Sequence, residues 1–191
     1  VRQAFSFIFI CIASCIFGIG AAWIALEGEL KFDRINLGQW KIWPTAGEIS
    51  ATPYIKAYLA RKGTLWMGVS EGLMFVADKD TDHATFNSRC DYILEGKIPR
   101  GRLWTLTAQT TARDVDNPDL SVSYITSADA VWEEDGQLIV TVSRGARPGN
   151  WLEVGNEGDF RLVLRIYDTP LTNGALDAAI QTPVIAKKDC T

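Results

Sequence analysis

Histidine is all but missing from this chain: His83 is the only one in 191 residues. That scarcity excludes a zinc site built on two or three imidazoles. It also leaves little for a Ser-His-Asp triad: Ser70-Glu71-Gly72 completes a Gly-x-Ser-x-Gly spacing with Gly68, but the run that follows, Gly72–Ala77, reads as a strand where a nucleophile elbow leads into a helix. No phosphate loop, dinucleotide-binding glycine fingerprint, Cys-x-x-Cys pair or haem motif occurs, so no metal and no cofactor is expected. Basic residues form no stripe and the formal charge is -4, which argues against nucleic acid as a partner. What the chain has instead is apolar surface. Apolar residues make up 47% and charged residues 22%, too apolar for a disordered chain. Its seven tryptophans fit the core and rim of a β-rich fold.

Charge is absent altogether from Ala4 to Leu26. At ~1.5 Å per residue a helix of this length crosses a hydrocarbon core of about 30 Å. Residues 1–27 are therefore expected to be a single-pass transmembrane anchor, with 4–26 in the bilayer. Two alternatives stay open. Gly20-Ala21-Ala22 is a small-residue site after which a leader can be cut, although leaders usually have only ~7–15 apolar residues. Ile12-Ala13-Ser14-Cys15 has the look of a lipoprotein box, but the residues after Cys15 stay apolar where a polar tether is normal. Arg2 stands on one side of the run and Lys31, Arg34 and Lys41 on the other, so charge does not decide the orientation. Cys11 and Cys15 fall inside the run. Cys90 and Cys190 fall outside it, and in an oxidising compartment they can staple the tail to the body. They can equally be two unrelated thiols. The favoured location is the periplasmic face of a bacterial inner membrane.

Residues 28–52 are expected to form a stalk or irregular lead-in, with Trp40 and Trp43-Pro44 as its apolar features. Thr52-Pro53 supplies an N-cap and an N1 proline. A short helix over Tyr54–Arg61 follows, stopped by Gly63 and buried through Tyr54, Tyr58 and Leu65. The period then changes to that of strands. Gly72–Ala77, Cys90–Leu94, Arg102–Gln109, Ser121–Thr126, Leu138–Val142 and Phe160–Tyr167 are the candidates, with Asn117-Pro118 marking a loop. Asp135-Gly136, between Ala130-Val131-Trp132 and Leu138–Val142, is the strongest hairpin signal. In the last strand Phe160, Leu162, Leu164 and Ile166 alternate with Arg161, Val163, Arg165 and Tyr167. The expected architecture is mainly β: one antiparallel sandwich or jelly roll over residues 53–191, with one short helix, behind a transmembrane helix.

Gly149-Asn150-Trp151-Leu152, the strand Phe160-Arg161-Leu162-Val163-Leu164-Arg165-Ile166-Tyr167 and the following Thr169-Pro170 resemble the C-terminal signature of the domain-of-unknown-function 1214 family. Arg102-Leu103-Trp104-Thr105-Leu106-Thr107 resembles that family's Trp-Ser-Leu-Thr strand, and Asn117-Pro118 with Tyr124 its Asn-Pro and Arg-Tyr segment. The likeness covers roughly residues 54–186. Trp40, Pro53-Tyr54, Ala60-Arg61-Lys62-Gly63, Ser70-Glu71-Gly72 and Cys90-Asp91-Tyr92 resemble its small, membrane-anchored bacterial branch. Glu153 stands where the family usually has proline, and Ser123 where it has arginine. The resemblance implies a jelly-roll-like β domain. Longer relatives carry it fused behind another domain, of unknown function 1254. Only about 25 residues separate the anchor from the match, too few for a further domain, so the resemblance implies a companion chain carrying that half.

Two clusters are candidates for ligand chemistry. Arg144, Arg147, Asn150 and Trp151 surround the loop before the last strand, where guanidinium, amide and indole groups can recognise a carboxylate, phosphate or sugar. The same residues also suit a rigid loop whose arginines pair with surface carboxylates. Arg165 and Tyr167 share the non-core face of their strand and can form a polar site with Arg89, Asp91 or Glu71; a purely structural arginine–carboxylate pair would look identical. The turn Asp78–His83 lacks the glycine and closing glutamate of a calcium loop and is expected to be solvated. The leading expectation is a membrane-anchored extracytoplasmic binding or partner module. The alternative is a subunit of an envelope enzyme with a shared pocket using Arg165 and Tyr167. A lipid- or glycan-contacting stalked domain using Trp40 and Trp43 is a third possibility.

Overall fold

Strands that alternate apolar and polar residues bury one face and offer the other, and the fold is organised around the clearest of them, Phe160–Tyr167. The computed structural model describes residues 2–27, 34–62, 66–68, 70–110, 123–155, 158–173 and 180–190. Features expected at Lys31, Gly63, Leu65, Asn117-Pro118 and Ser121 lie outside the described residues.

The N-terminal run is one helix, α1 (Arg2–Glu27). Its Gln3–Ile24 stretch is long and apolar enough to cross a membrane, and none of it is buried by the described residues. Phe5, Phe9, Phe17, Ile19 and Ile24 all stand open. Such a helix, apolar around its circumference and uncovered, suits lipid, and a signal sequence has the same character.

The body starts with β1 (Ile35–Leu37) and β2 (Trp40–Ile42), then α2 (Pro53–Lys62) and β3 (Gly72–Ala77). After these come β4 (Cys90–Gly96), β5 (Leu103–Thr110), β6 (Tyr124–Thr126), β7 (Leu138–Ser143), β8 (Asn150–Glu153), β9 (Phe160–Tyr167) and β10 (Val184–Cys190). They form two sheets: six strands in the order β1-β2-β3-β9-β5-β6, and four in the order β10-β4-β7-β8. Every pair is antiparallel except β7–β8, which is parallel. Parallel neighbours usually need a connection of a dozen or more residues. Here residues 144–149 suffice, because β8 has only four residues and Gly149, at φ +81°, turns the chain.

Between the sheets lies the main core. Phe75, Trp104, Leu106, Leu162, Leu164 and Ile166 face Leu94, Leu138, Val140, Val142 and Leu152. One end is filled by aromatic rings, with Phe86 stacked on Phe160 and Tyr92 edge-on to both. The edge strand β10 is closed by a side chain standing in for a strand. The Gln39 amide donates to the Ile185 carbonyl at 2.6 Å and accepts from its N–H at 2.8 Å. Next to it the Trp40 indole donates to the Pro183 carbonyl at 2.7 Å. An unpaired edge invites foreign strands; this one is partly occupied. Cys90 and Cys190 face each other across β4 and β10 and are joined in a disulfide.

Several expectations need correction. Part of the segment expected as a stalk, Ile35–Ile42, is paired into the six-stranded sheet, and Trp40 is wholly buried there. The strands are too short to show a period. Helix α2 buries Ile55 rather than Tyr54, which is exposed. The hairpin at Asp135-Gly136 is present but short: Trp132 pairs with Leu138 in an antiparallel bridge around the Glu133–Gln137 turn, and Ala130 and Val131 do not extend the ladder. The turn after β3 is not simply solvated either. Asp80 is fully buried, its Oδ1 accepting from the N–H groups of Asp82 and Ala84 at 2.9 Å each.

Candidate functional site

The outer face of the six-stranded sheet is built by the alternation that fills the core. Where Leu162, Leu164 and Ile166 point inward, Arg161, Val163, Arg165 and Tyr167 point outward. Register then sets their neighbours. Arg161 lies beside Gln109 of β5, Val163 between Val76 and Thr107, Arg165 between Met74 and Thr105, and Tyr167 between Gly72 and Leu103. Beyond Thr107 and Thr105 come Tyr124 and Thr126 at the β6 edge.

One side of this face is roofed. Met74, Val76 and Val163 form a small second core against Trp43 and Trp66. The two indoles meet edge to face with centroids 4.9 Å apart. Trp43 and Trp66 also pack with Ile55 and Leu59 of α2, so the helix is stapled to the sheet through tryptophan. The other side is open: Tyr124 is 64% exposed, and Thr105, Arg165 and Tyr167 are half-buried.

The electrostatics of the face are positive. Lys41 Nζ lies 2.9 Å from both carboxylate oxygens of Asp78, with Oδ2 the better aligned acceptor. Burial lowers the pKa of the Arg161 guanidinium below the usual arginine value. Arg165 adds to this, while Tyr58 and Asp78 oppose it. The Nε of Arg161 is buried and has no hydrogen-bond partner among the described residues.

Of the expected site residues, only Arg165 and Tyr167 are here. Asp91 is not beside them: it sits on β4 in the other sheet, where its Oδ2 takes the Arg147 Nη2 donor at 2.6 Å. Arg89 is exposed on the loop before β4. Glu71 stands at the mouth of β3, exposed, its backbone carbonyl accepting from the Asp168 N–H at 2.9 Å. The loop cluster resolves into structural roles. The Asn150 side chain donates to the carbonyls of Val131 and Ile139 and accepts from the Val131 N–H. The Trp151 indole donates to the carbonyl and hydroxyl of Ser143. Arg144 is exposed. Arg161 is the residue that sequence reasoning passed over. The alternation already put it on this face; its burial follows only from the neighbouring elements.

The family model described as "Protein of unknown function (DUF1214)" matches residues 71–171, more than half of the chain. The chain belongs to the DUF1214 family. Both outer-face arginines fall within the matched residues. Among solved structures, the chain is similar to the VPA0106 protein of Vibrio parahaemolyticus, at 20% identity over 73% of its length with a TM-score of 0.55. That likeness shows the fold. A putative uncharacterized protein from Burkholderia cenocepacia aligns at 17% identity over 89% of the chain, with a TM-score of 0.47. The chain spans 36% and 40% of the length of these two proteins. No curated protein matches it. The two departures from the DUF1214 pattern, Ser123 and Glu153, meet in space: the Glu153 N–H donates to Ser123 Oγ at 3.0 Å. Proline at 153 would have no N–H to give.

Proposed function

We propose that this DUF1214 protein is a membrane-anchored binding module of the bacterial envelope, with its sandwich on the periplasmic side of the inner membrane. The outer face of its six-stranded sheet is the working surface, turned toward a companion chain. The observation that carries this reading is the open half of that face, where Arg165, Tyr167, Thr105 and Tyr124 stand beside a tryptophan-roofed half. Arginine and tyrosine beside tryptophan are the residues enriched at interface hot spots. The anchor is supported by α1, and an oxidising compartment by the disulfide.

The enzyme alternative has less support. It needs a carboxylate to work with Arg165 and Tyr167; Asp91 is instead bound to Arg147 on the other sheet, and Glu71 stands exposed at the mouth of β3. The test is purification from native membranes in mild detergent, with mass spectrometry of what is retained. One protein should be recovered in near-stoichiometric yield, and Arg165→Glu should release it. Recovery of no protein, or undiminished recovery with Arg165→Glu, would sink the proposal.

A further inference from the structure

We propose that Arg161 and Arg165 form an oxyanion-binding site on the outer face of the six-stranded sheet, taking a carboxylate or phosphate group. The inference rests on that face being the working surface. Both arginine side chains leave the same side of β9, with Val163 between them buried beneath Trp43 and Trp66. Gln109 stands beside Arg161 on β5, and Thr105 beside Arg165, so an amide and a hydroxyl flank the two cations.

The arrangement is incomplete as it stands. Arg161 Nε is buried with no acceptor among the described residues. A buried polar N–H left unpaired is costly, and a charged one more so. Arg165 brings a second positive charge close enough to disfavour the first. Asp78, which lies close enough to favour the Arg161 charge, is ion-paired with Lys41, its Oδ2 accepting from Nζ at 2.9 Å. An oxyanion would supply the missing acceptor and cancel the repulsion together. Arginine pairs with carboxylate and phosphate through two parallel hydrogen bonds, geometry that lysine does not offer.

The test uses the full-length protein in detergent. It is titrated with inorganic phosphate and separately with succinate, against sodium chloride at matched ionic strength, with calorimetry and thermal melts as readouts. Saturable binding of at least one oxyanion is expected, weakened at least about ten-fold by Arg165→Gln and by Arg161→Gln, as expected when a charge-assisted contact is lost. The two arms identify the oxyanion. Should Arg161→Gln disturb the fold, Arg161→Met gives an independent reading. Without anion it should melt at or near the wild type, because a half-buried guanidinium whose Nε has no hydrogen-bond partner among the described residues has been replaced by an apolar side chain. Binding of neither anion, affinity unchanged by Arg165→Gln, or a markedly lower melting point for Arg161→Met would each overturn the site. The chain is titrated alone, so failure here leaves the companion-chain proposal standing.

Discussion

Cutting the bridge between Cys90 and Cys190 should cost this fold heavily. The two cysteines are 100 residues apart in sequence. Releasing a loop of that size returns about 4.7 kcal/mol of chain entropy to the unfolded state. The native side should change little, because β10 keeps its ladder to β4 and its hold on Gln39 and Trp40. For a chain of this size each kcal/mol moves the melting point by roughly 2–4 °C, so the drop should be about 9–19 °C. The assay compares thermal unfolding of the wild type, with and without a phosphine reductant, with the Cys90→Ala/Cys190→Ala double variant. Reductant should lower the wild type to the level of the double variant and leave the variant itself unmoved. Thiol labelling without reductant should leave Cys90 and Cys190 unmodified. A reduced wild type melting within about 2 °C of the oxidised form would refute the entropic reasoning. Labelling of both cysteines would remove the argument from compartment.

Three further perturbations follow from the same geometry. Asn150→Ala breaks three solvent-exposed hydrogen bonds whose backbone partners water can satisfy, so stability should fall by only about 1 kcal/mol in urea titration, with oxyanion binding untouched. Gly72 sits at φ +152°, where an added Cβ would overlap the Ile166 carbonyl oxygen. Gly72→Ala should therefore destabilise by roughly 2–4 kcal/mol, and an unchanged denaturation midpoint would contradict the close approach of β3 and β9. Burial raises the pKa of the Tyr92 phenol above its ordinary value of 10.0, with Asp80 and Asp159 adding to it and the Asn87 N–H opposing. The unfolded chain then gives up this proton first. Stability contributed by Tyr92 is complete below about pH 10 and lost as pH rises through the folded pKa. Alkaline melts should show a steeper decline for the wild type than for Tyr92→Phe; parallel curves would contradict the assignment.

Strands β3, β4, β5, β7 and β9 were legible because each is an apolar or alternating run bounded by turn residues. Strands β1 and β2, of three residues each, show no period. β10 carries Lys187, Lys188 and Asp189 on an exposed edge, a composition that looks like a tail. β8 was hidden because Asn150-Trp151-Leu152-Glu153 follows glycine and reads as a loop, and its parallel partnership cannot be seen in local pattern. The site was half legible. Alternation alone put Arg165 and Tyr167 on one face. What stands opposite them is a matter of sheet assignment, and Asp91 went to the other sheet. The significance of Arg161 depends on burial supplied by tertiary neighbours, which no local spacing encodes.

The central claim is that the outer face of the six-stranded sheet meets a companion chain, and photo-crosslinking in intact cells tests it most directly. A crosslinker is installed at Thr105 or Tyr124 on that face, and at Thr141 or Ala186 on the outer face of the four-stranded sheet. The prediction is a single protein adduct from the first pair of positions and none from the second. Adducts from the second pair alone, or from neither, would contradict the account.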